Sequence, residues 1–486
     1  MASFCKRKGI IYPSADIYGG IAGFFDFGPY GVEIKKNIRD HWWDTFVRQR
    51  EDIAGMDGSI VTSPKVWKAS GHVDSFADLI LESEDGSYQV RADHFLEDEL
   101  GGDFDGVSKE EVDSLVKKHK LEAPNGKKFK PCFEYNLMFQ TNIGPKIDDD
   151  SKSYLRPETA QLIFANFRLI QENARLKVPF GIAQVGKAFR NEISPRNFLF
   201  RSREFEQCEI EYFIKDDLSC PYLDEVLDVK IHVLSAKNQE RDSDGKVMTL
   251  KEAVDSKLML EWHAYFLGLS INWFKSLGCD INNFRVREHL SDELAHYSSA
   301  CWDLEYEFPF GFSEIQGVAD RTTYDLEKHM EHSGTKMTLY DDKAQEKFMP
   351  RVIAEPSLGL DRAFLVFMYE AYNDDKERGN VVLNLHKDIS PHKIAVFPLV
   401  KNKDPVRNLA RKVYKDLKSS FATFYDESGS IGKRYARQDE IGTPYCITVD
   451  FDSLDDDMVT VRDRDSTEQE RVAIKDLKKY FGGKFL

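Results

Sequence analysis

The chain has 486 residues, a hydrophobic fraction of 41%, a charged fraction of 31% and a formal net charge of −16. That length predicts two or three domains, and the composition excludes a disordered or collagen-like chain. No window approaches the roughly 18 to 20 apolar residues of a membrane helix, and the N-terminal Met-Ala-Ser-Phe-Cys-Lys-Arg-Lys-Gly lacks the apolar stretch of a secretory signal. Seven cysteines lie far apart with no Cys-x-x-Cys pair, which argues against a disulfide framework and against a cysteine zinc site, and fits a reducing compartment. The acidic balance argues against a chain that is a nucleic-acid binder throughout. From Pro391 onward, however, 18 Lys and Arg face 16 Asp and Glu, a balance of +2, so the rest carries −18. The tail is the part whose charge suits nucleic acid, although chance gives such differences too.

In chain order, residues 32–49 have helical spacing, with Ile34, Ile38, Trp42 and Phe46 on one stripe. Core packing is the plain explanation of that stripe and a subunit interface the sharper one. Residues 60–63 read as a strand ending at Pro64. Residues 97–130 read as a polar insertion with a helix over 109–120 capped by Ser108, 148–153 as a loop, and 158–174 as a helix. Strands are predicted over 180–189 and 204–214, enclosing an arginine-rich loop. Residues 235–254 read as a second insertion, and 270–277 as a helix end. Two strands, 302–308 and 312–318, flank Gly311. A short strand over 351–354 runs into Pro356, and Ser357 is read as the cap of an apolar helix reaching Tyr372. Beyond residue 390 come strands at 393–399, 445–450 and 457–462 and helices at 405–417 and 468–480. This alternation predicts a compact α/β domain.

Two stretches carry chemistry. In Phe189-Arg190-Asn191-Glu192, arginine and glutamate two apart on a strand project to one face. The loop after them adds Arg196, Arg201 and Arg203, a supply of planar forks for phosphate. Taken alone, such a hairpin is as readily a solvated, salt-bridged one. The second stretch is Glu355-Pro356-Ser357-Leu358-Gly359-Leu360-Asp361-Arg362. Its Gly359 permits a ligand to approach the backbone, and Arg362 can lie flat on an aromatic base.

Together with the segment ending at Pro64, these stretches resemble, in order and separation, the three signature motifs of class II aminoacyl-tRNA synthetases. Longer runs narrow the resemblance to the homodimeric glycyl-tRNA synthetase family: Leu137 to Pro145, Tyr154 to Gln161, Phe189 to Arg196, His296-Tyr297-Ser298, Trp302 to Gly311 and Ala319-Asp320-Arg321. The resemblance implies an α+β fold, with a class II antiparallel sheet flanked by helices over residues 1–390, insertions near 97–130 and 235–254, and an anticodon-binding α/β domain over 391–486. It implies that glycine is activated with ATP and transferred to tRNA(Gly) by a cytoplasmic homodimer with no membrane partner. The alternative is a non-catalytic synthetase-like accessory subunit that binds nucleic acid. Arg190, Glu192 and Arg362 would be catalytic. Arg190, Asn191, Glu192, Arg201, Ser202, Phe205, Glu314, Ile315, Gly359 and Arg362 would bind ATP, with Glu314 acting through Mg2+. Glu158, Glu209, Glu355, Pro356, Ser357 and Arg91 would bind glycine. Several relatives carry a cysteine-rich knuckle before the Asn136-Leu137-Met138-Phe139 run. Only Cys132 stands there in this chain, so no zinc is expected. In the C-terminal part, Lys433-Arg434-Tyr435-Ala436-Arg437 interleaves cations with an aromatic, a mix suited to RNA or to a solvated helix face.

Overall fold

The computed structural model describes residues 1–485 apart from Asp103, Asp105, Asp149, Asp150, Asp216 and Asp242. The loop expected at 148–153 includes two of these and so lies partly outside the described residues, and its last two residues, Lys152 and Ser153, belong to a short strand paired with Asn142 and Thr141. Among the described residues no helix is long and apolar enough to cross a membrane.

The larger part is built on nine strands: β1 (Ile53–Met56), β2 (Phe180–Phe189), β3 (Glu204–Ile214), β4 (Lys230–Leu234), β5 (Lys246–Thr249), β6 (Phe284–Glu288), β7 (Ala300–Phe308), β8 (Gly311–Asp320) and β9 (Arg351–Gly359). They pair in the order β5-β4-β6-β7-β8-β9-β3-β2-β1. The pairs are antiparallel except β1 with β2 and β4 with β6. Side chains alternate along each strand, so each strand builds two surfaces. On β3, Cys208, Ile210, Tyr212 and Ile214 enter the main core, where helices α1 (Pro29–Trp43), α3 (Glu261–Ser276) and α4 (Leu360–Ala371) cover the sheet. The opposite face carries Phe205, Gln207, Glu209 and Glu211 before Phe213 joins a second cluster under helix α2 (Ala160–Ala174). One strand thus fills a core with one set of residues and presents acids with the other.

Ile34, Ile38, Trp42 and Phe46 are all buried within the chain, with the Trp42 and Phe46 rings stacked at 5.2 Å. Core packing accounts for the stripe. The strand expected at 60–63 is absent. Pairing there falls to β1, and Val61 makes only an isolated bridge with Leu155. Pro64 opens a short helix capped by Ser63, because proline suits a first helical turn and cannot extend a ladder. The strand over 351–354 runs on through Pro356, which stands opposite Val318, to Gly359. Ser357 is therefore a ladder residue facing Glu209, not a cap, and α4 starts from Gly359. Ser108 caps its helix, Lys109–His119, in a reciprocal box with Glu111. The second charged segment supplies β5, the edge strand of the main sheet.

Strands Ile394–Pro398 (β10), Thr423–Tyr425 (β11), Tyr445–Val449 (β12), Met458–Asp463 (β13) and Gln469–Ala473 (β14) form a separate sheet ordered β11-β10-β12-β13-β14. Helices α5 (Asp404–Lys418), α6 (Ile431–Asp439) and α7 (Leu477–Phe485) accompany it. The helix expected over 468–480 is half strand: Gln469–Ala473 completes a hairpin with β13. The run at 433–437 lies on α6 and is mostly structural. Arg434 is buried and donates to the Leu399 and Gly429 carbonyls, Arg437 pairs with Asp426, and the Arg462 guanidinium lies 4.9 Å from the Tyr435 ring. Only Lys433 of its cations is exposed.

Candidate active site: an arginine-lined pocket beside a buried acidic cluster

The β2–β3 hairpin, the start of β8 and the β9–α4 junction enclose a cavity of about 650 Å3, counting its open mouth. It brings together Arg190, Glu192, Arg201, Ser202, Phe205, Glu314, Ser357, Gly359 and Arg362, nine residues from four separate stretches. Arg190 follows β2 and is held by a bond from Nε to the Pro157 carbonyl (3.1 Å), with its guanidinium 5.4 Å from the Phe205 ring. Arg201 donates from Nε to Glu192 (2.9 Å), while its Nη1 lies 3.2 Å from His94 Nε2. Burial pushes the His94 imidazole down to about 4, so at neutral pH it can take a hydrogen bond from a guanidinium. Arg362 donates from Nη1 to the Glu314 carbonyl (2.8 Å) and carboxylate (3.0 Å), and lies 4.5 Å from the Phe200 ring. A Cβ on Gly359 would come within 3.2 Å of Arg362 Cδ, so the bare glycine leaves that side chain its place. Asn191 turns instead to the Tyr135 hydroxyl (2.6 Å), and the Ile315 side chain enters the core. Arg91 makes its ion pairs with Asp78 and Asp93, and its charge reaches Glu192, on the arginine side of the site. It is not placed with Glu158 and Glu209.

Behind Ser357 lies a cluster of buried carboxylates. Glu209 accepts from Ser357 Oγ (2.6 Å), Gln207 Nε2 (2.9 Å), the Thr159 amide (3.0 Å) and the Thr159 hydroxyl. Glu158, just before α2, accepts from Gln161 (3.0 Å) and lies 3.4 Å from His72 Nε2. Glu355 accepts from Arg321 (2.8 Å), whose other nitrogens fork onto Asp325. The Tyr297 ring covers that guanidinium at 3.8 Å. Pro356 is buried between Glu355 and Ser357. Burial raises Glu158, but His72 and Arg321 outweigh it and hold the carboxyl below its ordinary range. Burial and the neighbouring Glu158 charge push Glu209 up, and burial with its acidic neighbours takes Glu355 to about 8. The cluster holds more carboxylates than cations, which suits a ligand that brings its own positive charge.

Glu211 lies deepest. It is fully buried, and neither carboxyl oxygen has a hydrogen-bond partner. Burial first, then Glu355, lift it well above 4.5. A carboxyl raised in the folded state contributes stability that is complete below its unfolded value and is lost as pH rises toward the folded one. Glu211→Gln keeps the size and removes the acid. It is expected to melt like the parent near pH 4 and at higher temperature than the parent above about pH 6. Thermal scans across that range check this, and parallel curves would refute it.

Arg321, Asp325, Thr159, Gln207, His72, Phe200 and His94 received no role from the sequence. Arg321 and Thr159 lie inside runs that carry the family resemblance. The others answer to no motif, because only the fold brings them to the site.

An antiparallel sheet presenting arginines on a strand–loop–strand hairpin, with a glycine–helix junction beside it, is the architecture of a class II aminoacyl-tRNA synthetase. Residues 393–484 match the family described as anticodon binding domain. The chain is 43% identical to a glycine–tRNA ligase of Caldanaerobacter subterraneus over 99% of this chain and 96% of that one. It is 44% identical to one of Clostridium acetobutylicum over 99% and 97%, and 41% identical to one of Staphylococcus aureus over 99% and 97%. The chain belongs to the glycine–tRNA ligase family.

Proposed function

We propose that the chain activates glycine with ATP and transfers it to tRNA(Gly). The observation that carries this reading is the pocket lined by Arg190, Arg201, Phe205 and Arg362, whose Ser357 and Gln207 hydrogen-bond Glu209 in the buried acidic cluster beside it. ATP brings several negative charges, and Arg190, Arg201 and Arg362 meet them as planar forks. Phe205 and Arg362 border the adenine. Glycine offers an ammonium, a carboxylate and no side chain, so nothing can be gripped for selectivity. Glu158 and Glu209 take the ammonium, Ser357 and Glu355 close the end, and larger amino acids are excluded by lack of space.

Mg2+ suits the rim of the pocket beside Glu314. A Cβ on Gly317 would lie 3.6 Å from Asp303 Oδ1 and 3.8 Å from Glu314 Oε1, so the bare glycine leaves room between two hard oxygen donors, the chemistry this ion prefers. Asp303 and Glu314 would hold it, and when bound it neutralises phosphate charge. The protein's own part is placement: Arg190 orients the α-phosphate for in-line attack by the glycine carboxylate, and no general base is required.

Residues 1–390 serve as the catalytic domain and residues 391–486 as the anticodon-binding domain. The assembly is a cytoplasmic homodimer. Retention of the guanidinium groups and of Glu314 in one pocket supports catalysis over an accessory role. Purified protein is expected to exchange labelled pyrophosphate into ATP with glycine and not with alanine or serine. Equal exchange with alanine would defeat the reading.

A further inference from the structure

Beside the nucleotide pocket stands a second set of ligand atoms. Strand β6 ends at Glu288, and the next residue, His289, donates its backbone amide to the Cys301 carbonyl (3.0 Å). Cys301 and Asp303 are two apart on β7 and project to one face. His289 Nε2 lies 2.8 Å from Asp303 Oδ2. The imidazole nitrogen, the Cys301 sulfur and an Asp303 oxygen all lie within 4.8 Å of one another.

The neighbours leave room for an occupant. Across the ladder from Asp303 stands Gly317, and across from Cys301 stands Ala319, two of the smallest side chains. Of the seven cysteines, six are buried and Cys301 alone is partly open. The His289 side chain is 23% exposed, so an ion has a way in.

We propose that His289, Cys301 and Asp303 form a zinc-binding site whose occupancy competes with Mg2+ for Asp303 and thereby restrains ATP use. The donor set decides the metal. One imidazole nitrogen, one thiolate and one carboxylate are a borderline-soft combination that favours Zn2+ over Mg2+, which prefers oxygen alone. Three protein ligands leave a fourth, open position. Tetrahedral bonds of about 2.0 to 2.3 Å need ligand atoms roughly 3.3 to 3.8 Å apart, between the 2.8 Å of the histidine–aspartate pair and the 4.8 Å that bounds the set, so small side-chain shifts reach that geometry. On binding, the thiol proton leaves to solvent and the sulfur–metal bond forms, with no change of oxidation state. The two oxygens of Asp303 make the link to ATP: Oδ2 faces His289, and Oδ1 faces the gap beside Gly317 and Glu314. The restraint on ATP use rests on the function proposed above; the zinc site does not.

Metal-free full-length protein titrated with Co2+ tests the site. One equivalent should give a thiolate-to-cobalt charge-transfer band that Zn2+ abolishes. Cys301→Ser should lose the band, and His289→Gln should weaken metal affinity by at least about tenfold. No band, or a band unchanged in Cys301→Ser, would overturn the site. Circular dichroism of both variants shows that they fold, and two substitutions in different segments guard against a folding failure in one. With Mg2+ in excess, Zn2+ should slow exchange in the parent about tenfold and leave Cys301→Ser exchange unchanged. Inhibition that persists in Cys301→Ser, or zinc bound without inhibition, would overturn the restraint. Protein that shows the band but never exchanges pyrophosphate would count against the proposed function and support the site on its own.

Discussion

Arg362→Ala is expected to slow glycine-dependent pyrophosphate exchange by about 10²- to 10³-fold, the usual loss when one preorganised charge donor leaves a transition state. The position makes the side chain hard to replace. Its helix starts at Gly359, its Nη1 is fixed on the Glu314 carbonyl and carboxylate, and the Phe200 ring lies on the guanidinium. The orientation is set before nucleotide arrives, so little ordering cost remains on binding. The side chain is 28% exposed, so its ion pair contributes little to stability, and the melting temperature should move by only a few degrees. Arg362→Lys keeps the charge without the planar fork and should recover a minority of the rate. The assay is exchange at saturating glycine with circular dichroism as the control for folding. A rate within threefold of the parent would remove Arg362 from the chemistry.

Local pattern made the sheet hairpins legible. Residues 180–189 and 204–214 alternate or run apolar between turn signals, and the strands end at those residues. Elements fixed by distant partners were less legible. Pro356 argues against a strand on local grounds, yet Val318 accepts it as a ladder neighbour because that position needs no amide from residue 356. Gln469–Ala473 carries no local strand signal of its own, and its pairing with Met458–Asp463 makes it a strand. The cations of 433–437 look like an RNA surface until Asp426 and the backbone carbonyls claim them. At the site, motif residues such as Arg190 and Arg362 were legible because their local spacing is distinctive. Arg321 was not, since a single arginine gains meaning only when Glu355, Asp325 and Tyr297 surround it. Buried charge of this kind is a property of assembly: the pairing that neutralises it joins the residue after β8, β9 and the helix that follows β8.

That same assembly sets the second large effect. Glu209→Gln should raise the glycine concentration needed for half-maximal exchange by about 10²-fold, corresponding to about 3 kcal/mol. The substitution keeps the shape but removes the charge that meets the ammonium. It also places an amide nitrogen where either Thr159 or Ser357 now donates, so one donor must lose its acceptor. The acid is pushed up by burial and by Glu158 when no ligand is present. An arriving ammonium favours the charged form, so glycine binding should release a proton and tighten as pH rises through the free-state value. Calorimetry in two buffers of different ionisation enthalpy measures that release, which Glu209→Gln should diminish. At saturating glycine the dependence on ATP should stay close to that of the parent, because the arginines lie outside the acidic end. A merely structural role for Glu209 would disturb both substrates together. Unaltered glycine dependence in the variant would show that the acidic end is not where the amino acid sits.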